Sequence, residues 1–345
     1  MERMIEFRSD TMTRPSPAMR QAMFDCEVGD DVCEEDPTVN RLQEMAAATL
    51  GKGAALFVPS GVFGNQCAIG VHTRPGDEVI VSETAHVVEH EAGAAGVLSG
   101  VQLRTIEPRT ASYITAAEIL PRLRIGEDIH FPRSRLIVLE NALSDGSVMP
   151  VEAMAEVRRL ADEHGLAVHL DGARLFNAAI ALGVEARAIA ALCDSVTFCL
   201  SKGLGAPVGS VLCGSADFIR AARKRRKIMG GAMRQVGVLA APGIVALTEG
   251  IGHLRQDHEN ARLLGELLAR IPGVAIDLAK VQTNMVFIHI DRPGKSEEGL
   301  VDFLATKRIL TYPPMAWGIR LVTSLEVTPE DVRALAAAVA DYLVA

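Results

Sequence analysis

A chain of 345 residues, 49% hydrophobic and 23% charged, has enough apolar material for a large core, and its length predicts roughly two domains. Its formal net charge of −8 and isoelectric point near 5.7 argue against nucleic acid or an anionic membrane as the main partner. Six scattered cysteines without a C-x-x-C pair argue against a disulfide framework.

Met1 to Ile5 has no apolar stretch of the secretory type. In chain order, Asp36 is placed to cap a helix over Pro37–Leu50, with Pro37 suited to its first turn and Gly51 to its end. Ala54–Val58 predicts a short buried strand, followed by a Gly-rich turn and a second helix. Strands are predicted at Glu78–Val81 and Arg135–Glu140, then a helix over Val151–His164 closed by Gly165, then a strand at Leu166–Leu170. Ser195–Leu200 and Gly209–Cys213 complete an alternation that predicts parallel βαβ units with helices on both faces. The run Arg223–Lys227 reads as the wet face of a helix. The most apolar stretch, Gly237 to Leu247, falls short of the about 20 residues of a membrane span, and Pro242 interrupts it. A cytoplasmic protein is therefore expected.

Beyond Gly250, two long helical patterns flank strand-like segments at Asn284–Ile290 and Ile319–Thr323, and an Ala-rich helix follows at Pro329–Leu343. The expected organisation is an N-terminal arm (1–15), a large α/β domain (16–250) and a small α+β domain (251–345).

Three short segments carry chemistry. Ser201-Lys202-Gly203-Leu204-Gly205 follows an apolar strand, where burial would make the lysine a usable amine nucleophile, although a lone lysine is more often solvated. Asp171-Gly172-Ala173-Arg174 ends another strand, where ligands bind in open α/β sheets. A carboxylate there can pair with a pyridinium nitrogen; a capping Asp beside a surface Arg fits those residues equally well. Pro59-Ser60-Gly61-Val62-Phe63-Gly64-Asn65 is a strand-to-helix turn able to bind phosphate through amides, and no Lys follows Gly64 to make it a P-loop. Together these are the parts of a pyridoxal 5′-phosphate site.

The sequence resembles the threonine aldolase family, within the β-eliminating-lyase-like group of fold-type I pyridoxal phosphate enzymes. The resemblance runs through Phe7-Arg8-Ser9-Asp10-Thr11, Val28-Gly29-Asp30-Asp31-Val32, Glu35-Asp36-Pro37-Thr38-Val39-Asn40, Leu56-Phe57-Val58-Pro59-Ser60-Gly61, His169-Leu170-Asp171-Gly172-Ala173-Arg174, Leu200-Ser201-Lys202-Gly203-Leu204-Gly205 and Gly230-Gly231-Ala232-Met233-Arg234-Gln235. It implies the fold-type I α/β architecture with a mostly parallel central sheet. It also implies retro-aldol cleavage of an L-β-hydroxy-α-amino acid to glycine and an aldehyde, and a homotetramer built as a dimer of dimers. By the same resemblance Lys202 holds the cofactor and Asp171 faces its ring nitrogen. Gly61 and the Val62 amide hold the phosphate, helped by Arg234 from a neighbouring subunit. His86 stacks on the ring. Ser9, Arg174 and Arg320 contact the substrate carboxylate and cofactor oxygens, and His130 lies near the substrate hydroxyl, with His86 or His130 as its base.

Departures from the family pattern cluster at Cys33, Val62, His90, Ala142 and Leu143. Smaller, less polar groups at 33, 142 and 143 lead to the expectation of a bulkier β-substituent, such as that of a phenylserine; the same changes leave β-elimination or racemisation open. His86-Val87-Val88-Glu89-His90 also spells the H-x-x-E-H zinc motif, with Glu89 as base, but no third ligand is placed and no metal is expected. A non-catalytic assembly module is disfavoured by Lys202, Asp171 and Arg320.

Overall fold

The computed structural model describes residues 3–344; Met1 and Glu2 of the expected arm, and Ala345, lie outside them. The chain enters along β1 (Ile5–Glu6). The expected helix Pro37–Leu50 forms with those bounds because both ends are specified. The Asp36 carboxylate accepts from the Thr38 and Val39 amides, and Gly51 takes a left-handed φ of 63° that satisfies the last carbonyls. Val39, Leu42, Ala46 and Leu50 recur on one face and are buried.

A seven-stranded sheet follows. In chain order its strands are β2 (Ala54–Val58), β3 (Glu78–Ser82), β4 (Gln102–Ile106), β5 (Ser134–Glu140), β6 (Ala167–Asp171), β7 (Ser195–Cys199) and β8 (Ser210–Gly214). Their order across the sheet is β2-β8-β7-β6-β5-β3-β4, and only the pairs involving β8 are antiparallel. Reversing β8 leaves β2 aligned with the remaining strands, so the carboxyl ends of six strands open on one edge. Ligands bind at that edge in sheets of this kind.

The second part contains β9 (Val274–Ala275), β10 (Met285–Ile290), β11 (Ile309–Leu310) and β12 (Ile319–Val322), with β10 paired antiparallel to both β9 and β12. Its core joins Leu264, Leu300, Ile319, Leu335 and Val339 with Phe7 from the arm. The arm enters this core because β1 pairs in parallel with β11. The helix Ile251–Leu268 packs on both sides: Leu254 lies in the large core, Ala261, Leu264 and Leu268 in the small one.

Two expectations need correction. The run 223–227 is not a wet face throughout. Arg226 follows Phe218, Ile219 and Ala222 on the buried stripe of the helix Ala216–Ile228, where it pairs with Asp31 at 2.6 Å and donates to the Phe57 carbonyl at 2.8 Å. Pro242 does not interrupt its helix: Gly237–Val245 continues through a π-helical turn at Ala246–Gly250 into Ile251–Leu268. Pro242 lies inside the helix, where its missing amide forfeits a single ladder bond. This stretch is long and apolar enough for a membrane span by length and composition alone, and half of it is buried against the two cores.

Candidate functional site

Six sequence-predicted residues converge at the carboxyl edge of the sheet. Asp171 closes β6, and Lys202 lies in the turn between β7 and β8. Gly61 and Val62 open the helix Gly61–His72 after β2, and His86 opens a single helical turn after β3. Arg174 follows Asp171 by three residues.

The phosphate turn is shaped by what it lacks. Ser60 caps the helix by accepting from the Phe63 amide, while the amides of the first turn have no intrahelical acceptor. A Cβ on Gly61 would come within 2.8 Å of Cys199 Sγ, so only glycine lets this backbone pack so closely on β7. Ser210 Oγ, 3.8 Å from that point, is buried without a hydrogen-bond partner.

Asp171 is buried. One oxygen accepts from Asn65 Nδ2 at 2.7 Å, the other from the Ala173 amide at 3.0 Å. Burial pushes its carboxyl upward and the nearby Lys202 cation opposes this. Lys202 Nζ makes no hydrogen bond or ion pair among the described residues, although Asp171, Asp10 and His86 all feel its charge.

Around this pair lies a polar network that the sequence reading does not single out. His86 Nδ1 meets Glu91 at 2.9 Å, and Glu91 accepts from Gln66 at 2.6 Å and Asn65 at 3.0 Å. The Glu91 hydrogen bond raises the His86 imidazole above its ordinary value, against the effect of burial. Asn65 Oδ1 continues to His169 Nε2 at 3.2 Å, and His169 Nδ1 to Ser195 Oγ at 2.8 Å. Burial pushes His169 down to about 3, so it is a neutral spacer in this chain of bonds. Glu140 ends β5 directly beside Asp171, accepting from the His86 amide at 3.0 Å and Ser144 Oγ at 2.7 Å. Burial, then the charge of Asp171, raise its carboxyl.

The arginines divide. Arg174 is already engaged, donating twice to Asp10 at 2.6 and 2.8 Å. Burial alone would raise the Asp10 carboxyl, but the guanidinium holds it below the ordinary range. Arg320, on β12, has no acidic partner among the described residues. Its buried Nε lacks an acceptor, its guanidinium lies 5.9 Å from the Tyr312 ring centre, and burial and the charge of Arg174 both lower it. Two half-buried cations and one buried carboxylate leave a place for one more anion. Ser9 is buried beside Asp10, its Oγ accepting from Thr11 at 3.2 Å.

Two residues stand apart within one chain. Arg234 is largely exposed and pairs with Asp30 at 2.8 Å. His130 lies in an exposed segment, with the Phe131 ring beside its own. The H-x-x-E-H pattern folds as one turn, His86–Glu89, in which Glu89 and His90 are exposed. The cluster with donor atoms within 4.8 Å of one another is instead His86, Glu91 and Asp171. Among the departures, Cys33 is exposed whereas Ala142 and Leu143 are buried.

The β-eliminating lyase family profile matches residues 6–291. The chain is 43% identical over 336 residues to a probable low-specificity L-threonine aldolase 2 of Arabidopsis thaliana, covering 96% of this chain and 94% of that protein. It is 42% identical over 334 residues to a low specificity L-threonine aldolase of Escherichia coli K12, covering 97% and 98%. In three dimensions it resembles a Leishmania major threonine aldolase with a TM-score of 0.85 at 21% identity, covering 99% of this chain and all of that one, which speaks to the fold.

Proposed function

This chain belongs to the threonine aldolase family, in the β-eliminating-lyase group, and from that premise we propose that it cleaves the Cα–Cβ bond of an L-β-hydroxy-α-amino acid to glycine and an aldehyde, using pyridoxal 5′-phosphate held on Lys202. The observation that carries the reading is a lysine amine unpaired among the described residues and set beside a buried strand-end carboxylate, with an arginine close by that has no acidic partner among them.

The residues fit the cofactor. A phosphate suits the free amides at Gly61 and Val62 and the orphaned Ser210 hydroxyl. A protonated ring nitrogen suits Asp171, whose charge Asn65 and the Ala173 amide hold in place. When bound, pyridoxal phosphate supplies the electron sink for the pair left as the Cα–Cβ bond breaks.

Arg320 binds the substrate carboxylate, and Arg174 is kept in place by Asp10 to share that anion. Fixing the carboxylate fixes which bond at Cα is presented for cleavage. His86 is the stronger candidate to take the β-hydroxyl proton, because Glu91 orients its ring and raises its basicity above the ordinary imidazole value. His130 needs its exposed segment to close over the site to serve the same proton. Arg234, exposed on its own chain, supports the phosphate of a neighbouring subunit in a tetramer. Cytoplasmic location belongs to the same proposal.

Borohydride reduction of the loaded enzyme, followed by peptide mapping, tests the site. The expected label sits on Lys202; a label elsewhere overturns the assignment. Aldehyde and glycine released in equal amounts from L-threonine test the reaction, and release of ammonia and a keto acid instead would replace it with β-elimination.

A further inference from the structure

Asp171 owes part of its setting to a neutral amide. Its Oδ1 accepts from the Ala173 amide at 3.0 Å, a contact the backbone fixes. Its Oδ2 accepts from Asn65 Nδ2 at 2.7 Å, a contact that a half-turn of the side-chain amide would reverse. Asn65 Nδ2 also donates to Glu91 Oε1 at 3.0 Å. With the amide reversed, its oxygen would face two carboxylates in a place where Asn65 is 1% and Glu91 2% exposed. The orientation that serves Asp171 therefore turns the amide oxygen away, and that oxygen meets His169 Nε2 at 3.2 Å.

The remaining protons follow in order. Asn65 Oδ1 can only accept, so His169 carries its proton on Nε2. Burial pushes His169 down to about 3, so the imidazole is neutral and its Nδ1 is an acceptor. Ser195 Oγ, 2.8 Å from Nδ1, must donate to it. The serine oxygen is left to accept, and His72 Nε2 lies 2.8 Å away to donate. Burial lowers His72 to about 4, so this ring, stacked on Phe218 at 4.6 Å, is neutral as well. Each bond in the chain has one allowed direction. The fold keeps the chain short. His169 and Ser195 pair across β6 and β7, and His169 and Asp171 share one face of β6. Asn65 and His72 lie about two turns apart on the helix Gly61–His72.

We propose that His169 is a positioning residue for the cofactor: its Nε2–H, kept on that nitrogen by Ser195 and His72, locks the Asn65 amide with its N–H groups toward Asp171. A neutral donor holds the carboxylate in place without cancelling its charge, which stays available to a protonated ring nitrogen. His169 acts through Asn65 and Asp171 and takes no part in bond cleavage.

The inference rests on the cofactor reading above, and its test reads binding rather than turnover. Dissociation constants are compared for pyridoxal 5′-phosphate and for its 1-deaza analogue, which has carbon in place of the ring nitrogen. They are measured on the full-length enzyme and on His169→Asn and His169→Gln. The Asn amide reaches only as far as Nδ1, whereas the Gln amide reaches the place of Nε2 and can still donate to Asn65. His169→Asn should weaken pyridoxal phosphate by about 10- to 100-fold, the range for a hydrogen bond to a charged group or a residue that orients a ligand, and the deaza analogue much less. His169→Gln should keep most of the affinity. Equal losses for the two cofactors, equal losses in the two variants, or no loss at all would each overturn the proposal, because a merely structural histidine does not distinguish a ring nitrogen from a ring carbon. If the unmodified enzyme itself does not bind pyridoxal phosphate, the cofactor reading falls and this inference with it. Should the variants fail to fold, neutron diffraction from the unmodified holoenzyme decides: deuterium is expected on His169 Nε2 and on Ser195 Oγ pointing at Nδ1, and deuterium on His169 Nδ1 would overturn the assignment.

Discussion

His86 and Glu91 show how one hydrogen bond sets a working range. The bond raises His86, so the protonated imidazole is favoured in the folded protein. That contribution to stability is complete below the ordinary imidazole range and is lost as pH rises through the raised value. If neutral His86 accepts the β-hydroxyl proton, activity climbs over that same interval. Glu91→Gln removes the charged partner and should shift the acidic limb of the kcat/KM profile to lower pH by about one unit. An unmoved limb would assign the proton to another group. Asp257 carries the opposite lesson. Its Oδ2 is buried with no partner, and burial, then the charge of Asp10, push it up to about 7. The folded state therefore keeps a proton that the unfolded chain releases, and stability falls as pH rises from the ordinary carboxyl range to about 7. Asp257→Asn should flatten that decline and raise Tm at pH 8 but not at pH 4, by an amount corresponding to a few kcal/mol at about 1.4 kcal/mol per unit. A melting profile that keeps its slope would locate the pH dependence elsewhere.

At the scale of elements, the buried pair between Arg226 and Asp31 ties the helix Ala216–Ile228 to the segment around 30–35. Burial depresses Arg226 and raises Asp31, each by more than the attraction of the other restores. Such a pair holds position more than it stabilises. Arg226→Met alone should cost about 3–5 kcal/mol in urea unfolding, because Asp31 is then buried unpaired. The double variant with Asp31→Leu should regain most of that loss; if it does not, the Phe57 carbonyl contact dominates. This element also marks where the sequence was opaque. Helices Pro37–Leu50 and Val151–His164 were legible to the residue because Asp36, Gly51 and Gly165 state their ends. The edge strand β4, Gln-Leu-Arg-Thr-Ile, went unread because it is half exposed and lacks an apolar run. The charge run concealed the spacing 219, 222, 226 that places Arg226 on the buried stripe. In the site, Lys202, Asp171 and Gly61 follow strands and could be read locally. Asp10, Glu91 and Glu140 reach the same place from three distant segments, and no local pattern states which carboxylates converge.

For the whole molecule, the isolated chain leaves surface unaccounted for. Phe24 is 83% exposed, Val97 83% and Ile228 69%, in an otherwise well-packed protein. Apolar side chains left uncovered at this level suit burial between subunits. Arg234 points the same way: it is far from spent within its own chain, where a single exposed pair with Asp30 is worth little. If each site draws Lys202 from one subunit and Arg234 from its neighbour, two inactive variants should repair each other. Lys202→Ala and Arg234→Ala, dissociated together and reassembled one to one, would make half of the subunit pairs mixed. Each mixed pair carries one intact site of two, so about a quarter of wild-type activity should return. Without sharing, every site in the mixture carries one defect or the other, and activity would not exceed the average of the two parents. Light scattering on the same samples reads the assembly directly, so a monomer would dispose of the shared site before any activity is measured.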